Sequence, residues 1–318
     1  MNILVTGGCG FIGSNFIRHI LGRYPGYKII NLDKLTYCGN LDNLTDIENN
    51  PNYKFVKGDI CDESIVNQLV KSSSVIVNFA ADTHVDRSIA DASDFISTNV
   101  KGVYILLESA RRNGIDKFVQ VSTDEVYGSI LEGSFKEEDA LHPNSPYSAS
   151  KAAGDLLALS YYSTFKLPIV ITRSSNNFGP YQYPEKIIPL FITNLLEGKK
   201  VPLYGDGLNV RDWLYVLDNC KAIDLILHKG KIGEIYNIGG EYEIPNIRLT
   251  RTILKLLNKD DDMIELVEDR LGHDRRYSLD CSKIKKLGFK PKKSFDVAIK
   301  ETVEWYTSNA SWWKSIKK

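Results

Sequence analysis

The chain has 318 residues, of which 43% are hydrophobic, and it carries 40 basic and 40 acidic side chains. This length predicts one large domain or two closely packed ones, and the balanced charge provides no field that would attract nucleic acid or an anionic membrane. No apolar run approaches the roughly 20 residues of a membrane span, and the N-terminus begins on a predicted strand that leaves no room for a signal peptide. We therefore expect a cytoplasmic protein whose partner is a small molecule, with no nucleic-acid or membrane partner.

The cysteines are odd in number and irregularly spaced: Cys9, Cys38, Cys61, Cys220 and Cys281. Neither metal-ligand spacing nor a disulfide framework is visible among them. The sequence therefore predicts reduced, buried thiols and no metal site.

Six short runs in the first 175 residues are rich in β-branched residues and nearly continuous in apolarity: NILVT, KIINLD, YKFVKGD, SVIVNFA, KFVQVS and LPIVITRS. Parallel strands that are covered on both faces have this composition. Between them lie helical patterns such as DFISTNVKGVYILLESARRNG, which ends on Gly114. Strands that alternate with helices predict an α/β fold with a Rossmann-type, doubly wound parallel sheet.

A glycine-rich segment, GGCGFIG, follows the first predicted strand. Gly7, Gly10 and Gly13 fit G-x-x-G-x-x-G, and Gly8 with the last two fits G-x-G-x-x-G. Such glycines permit a tight turn and bring the backbone close to a pyrophosphate at the positive N-terminus of the next helix. Asp33 ends the second strand, where a carboxylate can bind both ribose hydroxyls and repel the 2′-phosphate of NADP. This arrangement predicts NAD as the cofactor.

The third predicted strand ends in Gly58 and Asp59, where the adenine edge of the cofactor would lie. A helix cap is almost as good an interpretation of Asp59, so these residues leave both roles open.

The fifth run ends in STDEVYG, residues 122–128, which places Asp124 and Glu125 side by side. Two like charges close together push one pKa upward, so the pair predicts one protonated and one ionised carboxyl. An acid–base pair of this kind would serve catalysis, whereas two acidic residues in a solvated loop would not. The two residues alone leave both interpretations open.

Tyr147 and Lys151 lie four residues apart in YSASK and therefore share one face of a predicted helix. A lysine ammonium beside a phenol lowers the pKa of the phenol from about 10, which favours phenolate near neutral pH. A phenolate next to nicotinamide can take the hydroxyl proton of an alcohol while hydride passes to NAD. We therefore predict that both residues are catalytic.

The strand–helix alternation breaks after about residue 176, where turn-rich segments such as NNFGPYQYPEK and YGDGLNVRDW begin. We expect residues 1–176 to form the NAD-binding domain and residues 177–318 to form most of a smaller, interleaved C-terminal substrate domain. A strand near residues 234–238, in GEIYNIGG, is expected to return to the first domain.

Several longer motifs carry a family resemblance: LDKLTYCGNL, HVDRSI, STDEVYG, SPYSASK, SNNFGPYQYPEKIIPL, RDWLYV, YNIGG and GHDRRY. Together with GGCGFIG they resemble the extended short-chain dehydrogenase/reductase family, and within it the nucleotide-sugar 4,6-dehydratases. The resemblance covers nearly the whole chain. It implies an NAD-dependent lyase of deoxysugar biosynthesis, with dTDP-glucose as the expected substrate.

The resemblance also implies a task for each acid. Oxidation of the sugar C4 hydroxyl makes the C5 proton acidic, because the resulting carbanion is delocalised as an enolate. Glu125 would remove that proton, Asp124 would protonate the departing C6 hydroxyl, and Thr123 would bind the C4 oxygen. Hydride would then return to C6, so that NAD is not consumed.

Further contacts are implied by matching positions. Those to NAD are expected at Phe11, Ile12, Lys34, Leu35, Thr36, Asp59, Ile60, Phe79, Ala80, Ala81, Thr98 and Asn177, together with Tyr147 and Lys151. Those to the sugar are expected at Thr83, Thr123 and Asn176. The nucleotide diphosphate is expected at Lys186, Ile187, Pro202, Leu203, Tyr204, Arg211, Asn246, Asp269 and His273.

Three other functions stay open. A 4,6-dehydratase of another nucleotide-sugar would use the same residues. A nucleotide-sugar 4-epimerase needs only reversible oxidation at C4, which would leave Asp124 and Glu125 without a task. A regulatory or scaffold protein that binds NAD without catalysis would not require Tyr147 and Lys151 to be intact.

A homodimer is expected on family analogy and from two long helices, DFISTNVKGVYILLESARR and YSASKAAGDLLALSYYSTF. Both are rich in apolar residues, and helices with apolar residues on more than one face can form a four-helix interface.

Overall fold

The strands form where the apolar runs predict them. A computed structural model describes residues 1–317. Its strands are β1 (Asn2–Thr6), β2 (Lys28–Asp33), β3 (Tyr53–Lys57), β4 (Val75–Asn78), β5 (Lys117–Thr123), β6 (Ile169–Ser174), β7 (Asn176–Phe178), β8 (Val201–Tyr204), β9 (Val210–Tyr215), β10 (Ile235–Ile238), β11 (Glu243–Pro245) and β12 (Ile264–Val267).

The helices alternate with these strands through most of the chain. They are α1 (Phe11–Arg23), α2 (Glu63–Val70), α3 (Val85–Ala90), α4 (Ser93–Ile96), α5 (Val103–Asn113), α6 (Pro146–Phe165), α7 (Ile187–Leu196), α8 (Val216–Lys229), α9 (Asn246–Leu256), α10 (Ser282–Lys286), α11 (Phe295–Ser308) and α12 (Ala310–Ile316). Short 3-10 helices span Leu41–Leu44, Asp124–Tyr127 and Asp261–Met263. No helix within residues 1–317 is long and apolar enough to cross a membrane.

Seven parallel strands form the main sheet, in the order β10-β6-β5-β4-β1-β2-β3. Helices α1 and α8 contribute buried residues to one core cluster, and α5 and α6 contribute to another that packs on the opposite face. The strand order changes direction between β1 and β4. In doubly wound sheets ligands bind at such a switch point, beyond the carboxyl ends of the strands. The predicted α/β fold with a Rossmann-type sheet is confirmed.

The later part of the chain forms smaller sheets, β11-β9-β7 and β12-β8. They share a core cluster with α7, α9, α11 and α12, whose largest buried side chains include Phe191, Tyr306 and Trp313. Strand β10 leaves this part of the chain and pairs in parallel with β6 at the edge of the main sheet.

One predicted helix is not continuous. The segment DFISTNVKGVYILLESARRNG begins as α4, passes through a π-helical segment at Ser97–Gly102 and continues as α5. Within the π segment, the Asn99 amide donates to the Asp82 carbonyl at 3.0 Å and to Ser150 Oγ of α6 at 2.8 Å. Helix α5 ends at Gly114 with φ +66°, as its sequence predicts.

Candidate active site

The glycine loop between β1 and α1 leaves no room for side chains at two positions. Gly7 has φ +68°, and a Cβ there would lie 2.6 Å from the Ala80 nitrogen. A Cβ on Gly13 would lie 2.4 Å from the Gly7 carbonyl oxygen. Helix α1 begins after Gly10, which provides no side-chain cap, so its first N–H groups are available to an anion. A dinucleotide pyrophosphate fits this cradle.

Asp33 lies buried at the end of β2 beside that cradle. Its Oδ2 accepts a hydrogen bond from the Cys9 N–H and its Oδ1 accepts one from the Leu35 N–H, both at 2.8 Å. Burial raises the pKa of Asp33, and the two N–H donors oppose that rise. Each oxygen retains acceptor capacity for a ribose hydroxyl.

The Asp59 carboxylate pairs with Lys34 at 2.8 Å and accepts the N–H of Cys61 at 2.8 Å. The helix cap of α2 is Asp62 instead, whose side chain accepts the N–H groups of Ser64 and Ile65. Asp59 therefore closes the turn before that cap and faces the cofactor cavity.

The first cavity extends from the glycine loop to α6 and contains most of the residues predicted to bind the cofactor. Its wall includes Gly7, Gly10, Phe11, Ile12, Gly13, Asp33, Lys34, Thr36, Asp59, Ile60, Phe79, Ala80, Ala81, Thr98, Tyr147 and Lys151. Leu35 lies outside this wall, and Asn177 lines the neighbouring cavity instead. Thr83, predicted to contact the sugar, lines the cofactor cavity.

The two adjacent acids begin a 3-10 helix at the carboxyl end of β5. The Thr123 hydroxyl caps this helix, because its Oγ1 accepts the Glu125 N–H at 3.3 Å and donates to Asp124 Oδ1 at 3.2 Å. Asp124 is buried, and its Oδ2 has no hydrogen-bond partner among residues 1–317. Glu125 is partly exposed and lines the second cavity, whereas Thr123 and Asp124 lie behind the walls of both cavities.

The surroundings of the two carboxyls differ in charge. Burial raises the pKa of Asp124 well above its usual range, and the charges of Glu125 and Asp212 raise it further. Burial raises the pKa of Glu125 as well, but three cations oppose that rise: Arg270, Lys186 and Arg211. For Asp124 only Arg211 among these cations opposes the rise. Asp124 is therefore favoured as the protonated member of the pair and Glu125 as the ionised one.

Helix α6 positions Tyr147 in its first turn. Ser145 and Ser148 form a capping box, and Pro146 occupies the first helical position, where it has no N–H to leave unpaired. The Tyr147 N–H donates to Ser88 Oγ at 3.1 Å. The Thr123 hydroxyl opposes the rise that burial causes in the pKa of the Tyr147 phenol. The hydrogen bond to Ser88 ties the first turn of α6 to α3.

The expected low pKa of Tyr147 is not found. Burial raises the pKa of its phenol above the usual range, and the charge of Glu125 raises it further. Burial lowers the pKa of Lys151 to about 8, and the Lys151 ammonium donates to the Val121 carbonyl at 2.8 Å. The YSASK motif indicates the cation near the phenol, but desolvation and the charges of Glu125 and Asp124 depend on the tertiary structure.

The second cavity adjoins the first and contains most of the residues predicted to bind substrate. Its wall includes Asn176, Lys186, Ile187, Pro202, Leu203, Tyr204, Arg211, Asn246 and His273. Asp269 lies outside this wall and accepts a hydrogen bond from His273 Nδ1 at 2.6 Å. The side-chain oxygens of Asn176 and Asn246 are buried without partners among residues 1–317, so they are available to a ligand.

The wall of this second cavity carries three cations and three acids: Lys186, Arg211 and Arg270, and Asp86, Glu125 and Glu185. The Lys186 ammonium donates to the Thr83 carbonyl at 2.9 Å, and the Arg211 guanidinium donates to the Asp274 carbonyl at 2.8 Å. The same guanidinium lies 4.2 Å from the ring centre of Tyr277. Arg270 adds a third positive charge to the wall. Fixed guanidinium and ammonium groups of this kind suit a diphosphate.

Several lining residues are missing from the sequence prediction. Gln182 and Glu185 line both cavities, and Glu185 accepts a hydrogen bond from the Tyr37 hydroxyl at 2.8 Å. Arg270 and Tyr277 line the second cavity. Gln182 and Glu185 lie in the motif PYQYPEK, and Arg270 and Tyr277 lie in RLGHDRRY. Both motifs contain residues that are predicted to bind substrate, and this proximity is the sequence signal that could identify the four lining residues. Residues 1–317 contain no cluster of His, Cys, Asp or Glu side chains placed to hold a metal ion.

The parallel sheet, the glycine cradle, the buried Tyr147 and Lys151, and the adjoining second cavity define an extended short-chain dehydrogenase/reductase. The comparisons with known proteins are more specific. A sequence model of the family described as GDP-mannose 4,6 dehydratase matches residues 4–302. The dTDP-glucose 4,6-dehydratase of Streptomyces niveus is 53% identical over 100% of this chain and 96% of its own length.

Two solved structures agree with that relative. DesIV, a dTDP-glucose 4,6-dehydratase from Streptomyces venezuelae solved with NAD and TDP bound, superposes with a TM-score of 0.98 at 51% identity over the full length of both chains. The dTDP-glucose 4,6-dehydratase of Bacillus anthracis, solved with NAD, has a TM-score of 0.94 at 54% identity, again over both full chains. The chain therefore belongs to the dTDP-glucose 4,6-dehydratase family, which confirms the predicted resemblance.

Proposed function

We propose that this chain is a hydro-lyase that converts dTDP-glucose to dTDP-4-keto-6-deoxyglucose with a resident NAD. The observation that carries the mechanism is the unequal environment of two adjacent carboxyls. Asp124 is buried beside negative charge, whereas Glu125 lines a cavity in which Arg270, Lys186 and Arg211 oppose the rise of its pKa. One turn thus supplies an acid and a base at the same time.

The cofactor cavity fits NAD by its geometry, because the glycine loop has no room for a Cβ at Gly7 or Gly13 and Asp33 lies at the ribose position. When bound, NAD accepts the hydride from C4 of the sugar and returns it to C6. Gly7, Gly10 and Gly13 would hold the pyrophosphate, Asp33 the adenosine ribose, and Lys151 the nicotinamide side.

Each proton transfer is assigned to a side chain of this protein. Tyr147 takes the C4 hydroxyl proton, and the Thr123 hydroxyl, which lowers the pKa of Tyr147, orients the C4 oxygen. Glu125 removes the C5 proton once C4 is a ketone. Asp124 protonates the C6 hydroxyl, which leaves as water with the C5–C6 double bond formed. A proton then returns to C5 from Glu125 as C6 is reduced.

Tyr147 must be ionised to take the C4 hydroxyl proton, and burial raises the pKa of its phenol, so the phenolate needs a positive charge nearby. We propose that Lys151 provides the balancing charge. Its pKa of about 8 leaves most of the side chain as ammonium at neutral pH.

The substrate contacts follow the charge of the second cavity. We assign the diphosphate to Lys186 and Arg211, and the sugar to Thr83 and Asn176. The remaining predicted contacts surround the nucleotide: Ile187, Pro202, Leu203, Tyr204, Asn246, Asp269 and His273.

The epimerase alternative accounts less well for the site. A 4-epimerase would bury the carboxyl of Asp124 against two other negative charges without using it. Burying a carboxyl among like charges destabilises the fold, so a reaction that requires the acid explains it better.

An isotope experiment tests the proposed reaction. With dTDP-glucose deuterated at C4, we expect deuterium at C6 of the product and one solvent proton at C5. Loss of the C4 label to water, or formation of dTDP-galactose, would contradict the proposal. A panel of other nucleoside diphosphate glucoses checks the nucleotide preference.

The domain division, assembly and location are proposed as well. We assign residues 1–176, with β10, to NAD binding and residues 177–318 mostly to the nucleotide-sugar. Exposed apolar side chains on one group of helices support a homodimer: Ile96, Tyr104, Leu156 and Phe165. A cytoplasmic location would agree with a soluble nucleotide-sugar as substrate.

A further inference from the structure

Two segments far apart in the chain meet at the wall of the cofactor cavity. Residues 36–39 and residues 182–185 both contribute to that wall. The Tyr37 hydroxyl donates to the Glu185 carboxylate at 2.8 Å, and the rings of Tyr37 and Tyr183 pack edge to face with their centres 5.5 Å apart. The two segments therefore form one connected part of the wall, and the C-terminal helix α12 contacts the chain beside each of them.

The first contact of α12 leads to the glycine loop. The indole N–H of Trp312 donates to Asn43 Oδ1 at 2.9 Å. The Asn43 side chain is buried, and its amide donates to the Cys9 carbonyl at 2.8 Å. Cys9 lies within the glycine loop, and its N–H donates to the Asp33 carboxylate at 2.8 Å. A continuous chain of hydrogen bonds thus connects Trp312 to Asp33, the residue at the ribose position.

The second contact of α12 leads to the cavity wall itself. The Tyr183 hydroxyl donates to the carbonyl of Ile316, the last residue of the helix, at 2.9 Å. The last carbonyls of a helix have no partner within it, so this hydroxyl also satisfies the end of α12. The helix therefore holds residues 182–185 directly and holds residues 36–39 through Asn43, which lies in the 3-10 helix that follows them.

The backbone just before Tyr183 has an unfavourable conformation. Tyr181 has φ +68°, in the left-handed region that residues other than glycine rarely adopt. The Arg18 guanidinium lies 4.2 Å from the centre of the Tyr181 ring, and the Trp312 ring packs edge to face on it with the centres 5.8 Å apart. Strained residues of this kind persist only where the surrounding structure imposes the conformation. Trp312 is part of that surrounding structure.

We propose that α12 is a positioning element for the cofactor: through Trp312 and Ile316 it holds residues 36–39 and 182–185 together, so that bound NAD is released slowly. The inference rests on the proposed use of a resident NAD. A cofactor that recovers its original state in every cycle has no need to leave, so slow release suits this reaction. Neither Trp312 nor Ile316 lines either cavity, so the helix acts through Asn43 and Tyr183.

Exchange of labelled NAD tests the proposal without turnover. Purified enzyme with its bound cofactor is mixed with an excess of NAD deuterated on the nicotinamide, and mass spectrometry follows the protein-bound fraction with time. Trp312→Phe removes the donor to Asn43 and keeps an aromatic ring beside Tyr181. One neutral hydrogen bond changes an equilibrium constant by about three- to tenfold, so exchange should become faster by about that factor.

Tyr183→Phe is the second test, and it perturbs the fold less because it deletes a single hydroxyl. Without the donor to the Ile316 carbonyl, exchange should again be about three to ten times faster. Tyr236→Phe is the matched control. Its hydroxyl accepts the Lys231 N–H at 3.0 Å, and the residue lies outside both cavities, so this variant should exchange NAD at the unmodified rate.

Two further readouts separate positioning from general stability. Dehydratase activity that Trp312→Phe or Tyr183→Phe loses on dilution should return when NAD is added, because the loss comes from release of the cofactor. A merely structural role predicts lower melting temperatures with an unchanged exchange rate. Unchanged exchange in both variants, in protein that still dehydrates dTDP-glucose, would overturn the inference and leave the proposed function intact.

Discussion

Adjacent carboxyls at positions 124 and 125 have different chemistry although they follow one another in the chain. The difference comes from the residues that the fold places around them. Asp212 and Glu125 add negative charge beside Asp124, while Arg270 and Lys186 add positive charge beside Glu125. At the scale of single residues, the site therefore depends on which charge lies next to which carboxyl.

Glu125→Gln should separate oxidation from elimination. The glutamine cannot take the C5 proton, so NADH absorbance and a 4-keto-glucose intermediate should accumulate with substrate, and overall turnover should fall by about 10²–10⁴-fold. Stopped-flow absorbance and rapid-quench product analysis measure the two steps. Glu132→Gln, on the exposed loop after the same turn, is the control and should behave as the unmodified enzyme. Normal dehydration by Glu125→Gln would show that Glu125 is not the base that removes the C5 proton.

Asp124→Asn should slow elimination without stopping C5 exchange. The variant lacks an acid for the C6 hydroxyl, whereas Glu125 can still remove the C5 proton of the 4-keto sugar. We expect continued incorporation of solvent deuterium at C5, measured by NMR, while water loss slows by about 10²–10⁴-fold. If C5 exchange and water loss slow equally, Asp124 and Glu125 do not act in separate steps.

Asp33→Asn should weaken the preference for NAD over NADP. The substitution removes the negative charge that would repel a 2′-phosphate. It also removes a charged acceptor for the ribose hydroxyls. Hydrogen bonds to charged groups are worth about 1.5–3 kcal/mol, so NAD affinity should fall by roughly 10- to 100-fold while NADP affinity rises. Calorimetric titration of protein stripped of cofactor measures both. An unchanged ratio of the two affinities would mean that Asp33 has no part in the choice.

At the scale of elements, the glycine loop and α1 act as one unit. Gly7→Ala should abolish NAD binding, because the new Cβ would overlap the backbone of Ala80 and φ +68° is unfavourable for alanine. The matched control is Gly22→Ala, within the same helix, where a Cβ meets nothing within 4 Å. This control should bind NAD normally and gain up to about 1 kcal/mol in unfolding free energy. Cofactor content after purification and thermal unfolding measure the two effects.

Leu156→Asp should convert the proposed dimer to a monomer. Leu156 is 57% exposed on α6, and a charge at the centre of an apolar helix interface is costly when buried. Val297→Asp, at a 50% exposed apolar position of α11, provides a control of similar exposure on a different helix. Light scattering at micromolar concentration should show a mass change for the first variant only. A monomeric unmodified protein would remove the dimer proposal itself.

At the scale of the whole molecule, α1 and α8 are joined by a buried carboxylate. Asp224 pairs with Nε2 of His19 at 2.8 Å and with Nδ1 of His228 at 2.9 Å, and it accepts a hydrogen bond from the Tyr24 hydroxyl at 3.0 Å. Burial acts to raise the pKa of Asp224, but these partners lower it below its usual value of 3.8 overall. The carboxylate therefore stabilises the fold above that pH, and the contribution is lost as the pH falls through the folded-state pKa.

Asp224→Asn should accordingly lower the melting temperature at pH 7 by more than at acidic pH. The difference between the variant and the unmodified protein should shrink as the pH falls below about 4, where the unfolded chain becomes protonated first, and its charge-dependent part should be lost below the folded-state pKa. Thermal unfolding followed by circular dichroism across this range measures the effect. A difference that is constant with pH would assign the loss to packing rather than to charge.

Much of this protein can be predicted from local sequence. Strands β1 to β6 follow from continuous apolar runs, and the glycine loop, Asp33, and the Tyr147–Lys151 spacing each depend on residues close together in the chain. Such features are predictable because backbone sterics, helical periodicity and capping act over a few residues. The parallel sheet and the cofactor therefore follow from sequence alone.

Only the tertiary structure decides how the acids and the phenol behave. Lys186 and Arg270 are distant from Glu125 in sequence but oppose the rise of its pKa, and burial raises the pKa of Tyr147 where the YSASK motif alone predicts the opposite. The π-helical segment at Ser97–Gly102 interrupts a pattern that sequence alone presents as one helix. Desolvation and Coulomb interactions depend on distances in space, and those distances are set by the packing of elements that lie far apart in the chain.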